Sequence, residues 1–222
     1  SFQLERMKEF KAHYAVTLNI TPDHMDRYSH QIQNYVDAKM RILNNQTEED
    51  TLIYWSNDPL ISQEIERLKP HSKLIPFAQA KAEGICAYQE DAHIYIYANN
   101  TKFRMKQDQL ALQGTHNLYN SLAAGLVSKL LDISDDTLRQ SLTDFKGVPH
   151  RLEKVATVRG VLYINDSKAT NVNSCWYALQ SIKSKVVLIL GGTDKGNDYS
   201  EIEELVKEKA RALIFLGADN SA

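Results

Sequence analysis

Gly160-Val-Leu-Tyr-Ile164, Lys185-Val-Val-Leu-Ile-Leu190 and Ala212-Leu-Ile-Phe-Leu216 decide the fold. Each is a short run dominated by Val, Ile and Leu, without a regular polar alternation. Strands of this kind are buried on both faces, as in a parallel sheet covered by helices. Between them, Val172 to Ile182 and Ser200 to Lys209 place apolar residues at helical spacing and predict helices. The β-α-β-α-β series that results is an α/β unit of Rossmann-like type.

Upstream of this series, Gly147-Val-Pro-His150 marks a boundary, because Gly and Pro interrupt regular structure together. The expectation is one domain over 1–148 and a second over 149–222. The first domain also alternates strand and helix signals. Tyr14 to Ile20 and Thr51 to Trp55 read as strands, and His30 to Leu43 as a helix with Ile32, Tyr35, Val36, Met40 and Leu43 on one stripe. Ile61 to Leu68 predicts a short helix and Ser72 to Phe77 a strand. Ile85-Cys-Ala-Tyr88, His93 to Tyr97 and Lys102 to Met105 predict a small antiparallel region. Helices then resume over Asn117 to Leu131 and Asp135 to Phe145. The expected class is therefore α/β with a mostly parallel sheet and a hairpin region, followed by the Rossmann-like domain.

Composition narrows the function. Twenty-six Lys and Arg against 28 Asp and Glu give a net charge of -2, which argues against a nucleic-acid binder. No apolar run approaches the roughly 20 residues of a membrane span, and residues 1–6 show no secretion signal. Cys86 and Cys175 lack metal-ligand spacing and read as free thiols of a reducing, cytoplasmic compartment.

Four stretches could hold chemistry. Asp23, His24 and Asp26 follow a strand exit, where open α/β sheets bind ligands; a turn with an exposed His would look the same. Lys39 shares the apolar stripe of its helix. It is either a lysine whose stem lies along that surface or an amine that works neutral, able to take up carbon dioxide as a carbamate and ligate a divalent cation. Asn117 and Asn120, three apart at a helix start, could read the edge of a heterocycle such as adenine, although Asn117 could equally be an N-cap. Finally, Asp166, Lys168 and Thr170 alternate beyond a strand end, and Gly191-Gly-Thr-Asp-Lys195 repeats the arrangement at the next one. Acid, cation and hydroxyl together suit a ligand bearing phosphate or carboxylate. No GxxxxGK[ST] loop, Ser/His/Asp set or cysteine metal site is present.

Taken in order, these motifs resemble the Mur ligases, and their D-glutamate-adding branch most of all. The resemblance rests on Ser1-Phe-Gln-Leu-Glu5, Asn19-Ile-Thr-Pro-Asp-His-Met-Asp-Arg27, Ala38-Lys-Met-Arg-Ile42, His116-Asn-Leu-Tyr-Asn120, His150-Arg-Leu-Glu153, Asn165-Asp-Ser-Lys-Ala-Thr-Asn171 and Gly191-Gly-Thr-Asp-Lys195. It implies ATP and Mg2+ as cofactors, with His24 and a carbamylated Lys39 at the metal and Lys168 beside the reacting carboxylates. Asn117 and Asn120 would hold adenine, Asp166 the ribose and Arg151 the phosphate region, while Thr170 and Lys195 would position D-glutamate. The substrates implied are UDP-N-acetylmuramoyl-L-alanine and D-glutamate, joined through an acyl phosphate by a monomeric enzyme. The family pattern also implies a phosphate loop, a UDP-binding domain and an acidic metal ligand ahead of Ser1, and further strands after Ala222. The expectation is a chain cut short at both ends and inactive alone. A sister ligase with another acceptor, a folate-polyglutamylating relative and a non-catalytic nucleotide-binding module are the alternatives.

Overall fold

A computed structural model describes residues 2–192 and 198–217. The chain forms two compact units, Ser1–Ala111 with Asn117–Phe145, and Leu112–His116 with Lys146–Ala222.

In the first unit, strand β1 (Tyr14–Thr17) leads to helix α1 (Ile32–Met40), then β2 (Thr51–Trp55), α2 (Pro59–Leu68) and β3 (Lys73–Phe77). Strands β4 (Ala87–Glu90), β5 (His93–Ala98) and β6 (Thr101–Lys106) follow, then helices α3 (Thr115–Leu130) and α4 (Asp135–Asp144). The six strands form one sheet in the order β1-β2-β3-β4-β5-β6. Strands β1 to β4 pair in parallel and β4 to β6 antiparallel, so the expected mixed sheet is present. Alternation along β2 directs side chains to opposite faces. Ile53 and Trp55 join Phe77, Ile96 and Phe103 beneath Leu122 and Leu126 of α3. Leu52 and Tyr54 turn the other way, toward clusters that include Ala15 and residues of α1 and α2. Helices thus cover both faces.

Several boundaries differ from the sequence expectation; helix α1, for one, spans Ile32–Met40 instead of His30 to Leu43. Strand β1 stops at Thr17, and Leu18 to Ile20 continue as a loop whose last residue is pinned and buried. Strand β4 starts at Ala87 instead of Ile85.

The second unit contains β7 (Glu153–Val158), β8 (Val161–Asn165), α5 (Val172–Ser181), β9 (Val186–Gly191), α6 (Ser200–Lys209) and β10 (Ala210–Leu216). Strands β9 and β10 pair in parallel, as the apolar pattern predicts. The run at Gly160–Ile164 departs from it. It becomes β8, paired antiparallel with β7 in a separate two-stranded sheet. The tight Arg159-Gly160 turn, with both residues at positive φ, folds it back on Glu153–Val158. The expected covering of both faces is also corrected: Val187 and Ile189 on β9 and Phe215 on β10 are more than half exposed.

The glycines after β9 have a backbone reason. A Cβ on Gly191 would lie 2.4 Å from the Leu216 carbonyl oxygen, and Gly192 has φ +126°.

Candidate functional site

In the first unit, the loop after β1 is shaped by its own polar groups. The Ile20 N–H donates to the Asp58 carboxylate at 2.8 Å. The His24 N–H donates to Asp23 at 2.9 Å, with His24 in the left-handed region at φ +53°. The exposed His24 imidazole has Nε2 3.8 Å from Asp23 Oδ2 and stands edge-on to Phe2, centroids 6.3 Å apart.

Helix α1 presents Lys39 half-buried, its Nζ 4.9 Å from the centre of the Tyr35 ring. Burial pushes the Lys39 amine below the usual lysine range, against the opposing pull of Asp23 and Asp58. Burial, then the Asp23 charge, pushes the Tyr35 phenol up. Asp23 is therefore the charge that Lys39 and Tyr35 share, and it touches His24. The predicted pair Lys39 and His24 is linked through this aspartate.

These are the groups that the magnesium ion implied by the sequence resemblance would have to meet. Among the described residues there is no cluster of three or more His, Cys, Asp or Glu able to hold a metal. Mg2+ prefers oxygen donors, so an imidazole and an ammonium do not suffice. A carbamate on Lys39 would supply oxygens, and burial, by lowering the amine's pKa, favours the neutral form that reacts with carbon dioxide. The donor set fits the ion in that form.

On helix α3, Asn117 is the third helical residue, so it is no N-cap; its carbonyl accepts from the Ser121 hydroxyl at 2.8 Å. Asn120 lines a groove of about 310 Å³ with Val16, Leu18, Ala123, Ala124 and Val127. Apolar walls with a single carboxamide suit a flat heterocycle.

In the second unit, backbone hydrogen bonds lace the two predicted motifs together. The Leu152 N–H donates to Asp166 Oδ1 at 2.9 Å, and the Lys168 N–H to the His150 carbonyl at 3.1 Å. Asn165 Nδ2 and His150 Nδ1 lie 2.8 Å apart, and the His150 N–H donates to Glu153 at 2.8 Å. His150 and Leu152 take positive φ to make this possible. Asp166 thus has a structural duty, pinning the loop that carries Arg151. Arg151, Lys168 and Thr170 themselves are exposed. Asn171 caps α5 by accepting from the Ser174 N–H at 2.8 Å. Lys195 lies outside the described residues.

Three groups escaped the sequence reading. Asp58 was hidden as an ordinary cap before Pro59, although the Asp-Pro pair was a legible signal for a helix start. Tyr35 read only as core. His116 is half-buried, 5.4 Å from the Tyr177 ring, with Nδ1 buried and lacking a hydrogen-bond partner. Burial lowers its pKa, outweighing the pull of Asp166. Nothing in its sequence context signals that orphaned nitrogen.

Residues 1–128 match the family model described as Mur ligase middle domain, and residues 150–222 match the one described as Mur ligase, glutamate ligase domain. The chain belongs to the Mur ligase family. A UDP-N-acetylmuramoylalanine–D-glutamate ligase of Bacteroides thetaiotaomicron is 58% identical over 99% of this chain. The chain spans about half the length of such Mur ligase relatives, 49% in that case. Among solved structures, MurF from Acinetobacter baumannii matches with a TM-score of 0.69 at 18% identity, covering 91% of this chain and 50% of that one. MurF from Thermotoga maritima in complex with ADP matches with a TM-score of 0.64 at 19% identity, covering 95% and 53%. At those identities the structural likeness within the Mur ligases concerns the fold.

Proposed function

We propose that this chain is part of an ATP-dependent ligase that adds D-glutamate to UDP-N-acetylmuramoyl-L-alanine, a step of peptidoglycan precursor synthesis. The observation that carries the reading is the half-buried Lys39 amine, facing Asp23 at the base of the His24 loop. The name of the Bacteroides relative and the ADP in the Thermotoga structure agree with it.

In this reading residues 1–148 are the ATP-binding domain and 149–222 the ligase domain. Mg2+ would be held by the Lys39 carbamate and His24, and its charge would neutralise the crowding of phosphate and carboxylate anions. Asn117 and Asn120 hold adenine. On the second unit, Asp166 holds the ribose while keeping its loop in place, and Arg151 meets the phosphates. Lys168 faces the reacting carboxylates, and Thr170 with Lys195 orients D-glutamate. The substrate carboxylate takes the terminal phosphoryl group of ATP, releasing ADP. The D-glutamate amine attacks the acyl phosphate, and the tetrahedral adduct expels phosphate to leave the amide. Exclusion of water matters at that stage, because an acyl phosphate hydrolyses readily. ATP and a nucleotide-linked substrate assign the work to the cytoplasm. No helix among the described residues is long and apolar enough to cross a membrane.

The test is phosphate release by the intact protein with ATP, Mg2+ and UDP-N-acetylmuramoyl-L-alanine, offered a panel of D- and L-amino acids. Release with D-glutamate alone supports the assignment. Release with a different acceptor would move the protein to a sister activity.

A further inference from the structure

We propose that Asp58 is a positioning residue for the cation-binding loop: its buried carboxylate ties the start of the His24 segment to the N-terminus of α2 and so fixes where that segment stands against α1. The inference rests on the reading of His24 and Lys39 given above.

Asp58 precedes Pro59 and is only 8% exposed. One oxygen does what any N-cap does, accepting the Ile61 N–H at 3.0 Å. A serine would serve for that. The second oxygen accepts the Ile20 N–H at 2.8 Å, from a residue 38 positions earlier in the chain. A carboxylate places two separate acceptor oxygens within this space, where a serine has one. Ile20 is the last buried residue before Thr21-Pro22-Asp23-His24. Pro22 has no N–H to give, and the His24 N–H is engaged by Asp23. The tie at Ile20 therefore sets the departure point of the loop. Packing carries that placement across to α1, because Ile20, Ile61, Tyr35 and Val36 share one buried cluster.

The test uses the intact protein and Mn2+ as the probe. Asp58→Ser keeps a good cap while losing the second acceptor. The expected result is a folded protein with a modestly lowered thermal midpoint, because the buried Ile20 N–H loses its acceptor, faster amide exchange at Ile20, and Mn2+ binding weaker by about 10- to 100-fold, the usual effect of removing a group that orients metal ligands. A folded Asp58→Ser protein that binds Mn2+ as tightly as the parent overturns the proposal. If that variant does not fold, Asp58→Asn is read the same way, since a carboxamide has one acceptor for two N–H groups. His24→Ala separates the two levels. Parent-like Mn2+ affinity in His24→Ala removes the metal-site reading itself. Loss there, with no change in the Asp58 variants, removes only the positioning role.

Discussion

The two units hold similar apolar strands in opposite circumstances. In the first, helices lie on both faces of the sheet, and Leu52, Ile53, Phe77 and Phe103 are fully buried. In the second, β9 alternates between half-buried and exposed positions, and Ile189 is 59% exposed. The candidate residues within each unit differ in the same way. In the first unit, burial pushes the Lys39 amine below the usual lysine range. The second keeps Arg151, Lys168 and Thr170 in water and controls their loops through backbone hydrogen bonds. Burial perturbs a group; lacing only aims it.

The sharpest way to break this contrast is to truncate matched side chains. Phe103→Ala should lower stability by about 3–5 kcal/mol, whereas Ile189→Ala should stay within about 0.5 kcal/mol, both read from urea unfolding. Equal losses would erase the distinction. Gly191→Ala tests what the second unit does hold tightly. Its new methyl would meet the Leu216 carbonyl, so a loss of about 1–3 kcal/mol is expected in the same assay.

Next in size is acid sensitivity. Asp50 is fully buried, and burial alone would raise its pKa. Lys11 at 2.9 Å, the Thr47 N–H and His13 outweigh that effect and hold the carboxyl well below the usual range. A depressed carboxylate pKa contributes stability above the unfolded value near 4 and loses it as pH falls further. Unfolding midpoints measured from neutral pH down into that acid range should show a decline that Asp50→Asn flattens. The smallest effect belongs to the laced loops: Asp166→Ala should speed amide exchange at Leu152 by about tenfold, the equivalent of one hydrogen bond, without global unfolding.

Much of this was legible in the residues. Runs such as Thr51–Trp55 and Val186–Gly191 gave their strands because Val, Ile and Leu have few other uses at that density. The helix over Asn117 to Leu131 was legible too, because Leu118, Leu122 and Leu126 recur at a spacing of four residues and are buried together in the core. Strand β7 was not legible, since Glu153-Lys-Val-Ala-Thr-Val158 is exposed almost throughout and carries no burial signal. That omission misassigned β8, because pairing partners are a tertiary fact. In the site, the resemblance to the Mur ligases pointed to Lys39 and His24, whereas spacing alone fitted an exposed histidine and a lysine stem lying along an apolar surface. The part played by Asp58 depends on a bond across 38 residues, and the loop aimed by Asp166 depends on positive φ at His150 and Leu152; neither leaves a local pattern.

The chemistry of Lys39 supports the whole account and can be observed directly. The intact protein, with nucleotide and Mg2+ in 13C-bicarbonate, should show a carbamate carbon bonded to the Lys39 nitrogen in the NMR spectrum. Because the carbamate needs a neutral amine and burial lowers the Lys39 pKa, it should persist to lower pH than any adduct on exposed Lys8. An unmodified Lys39 under conditions where the protein turns over would contradict the account.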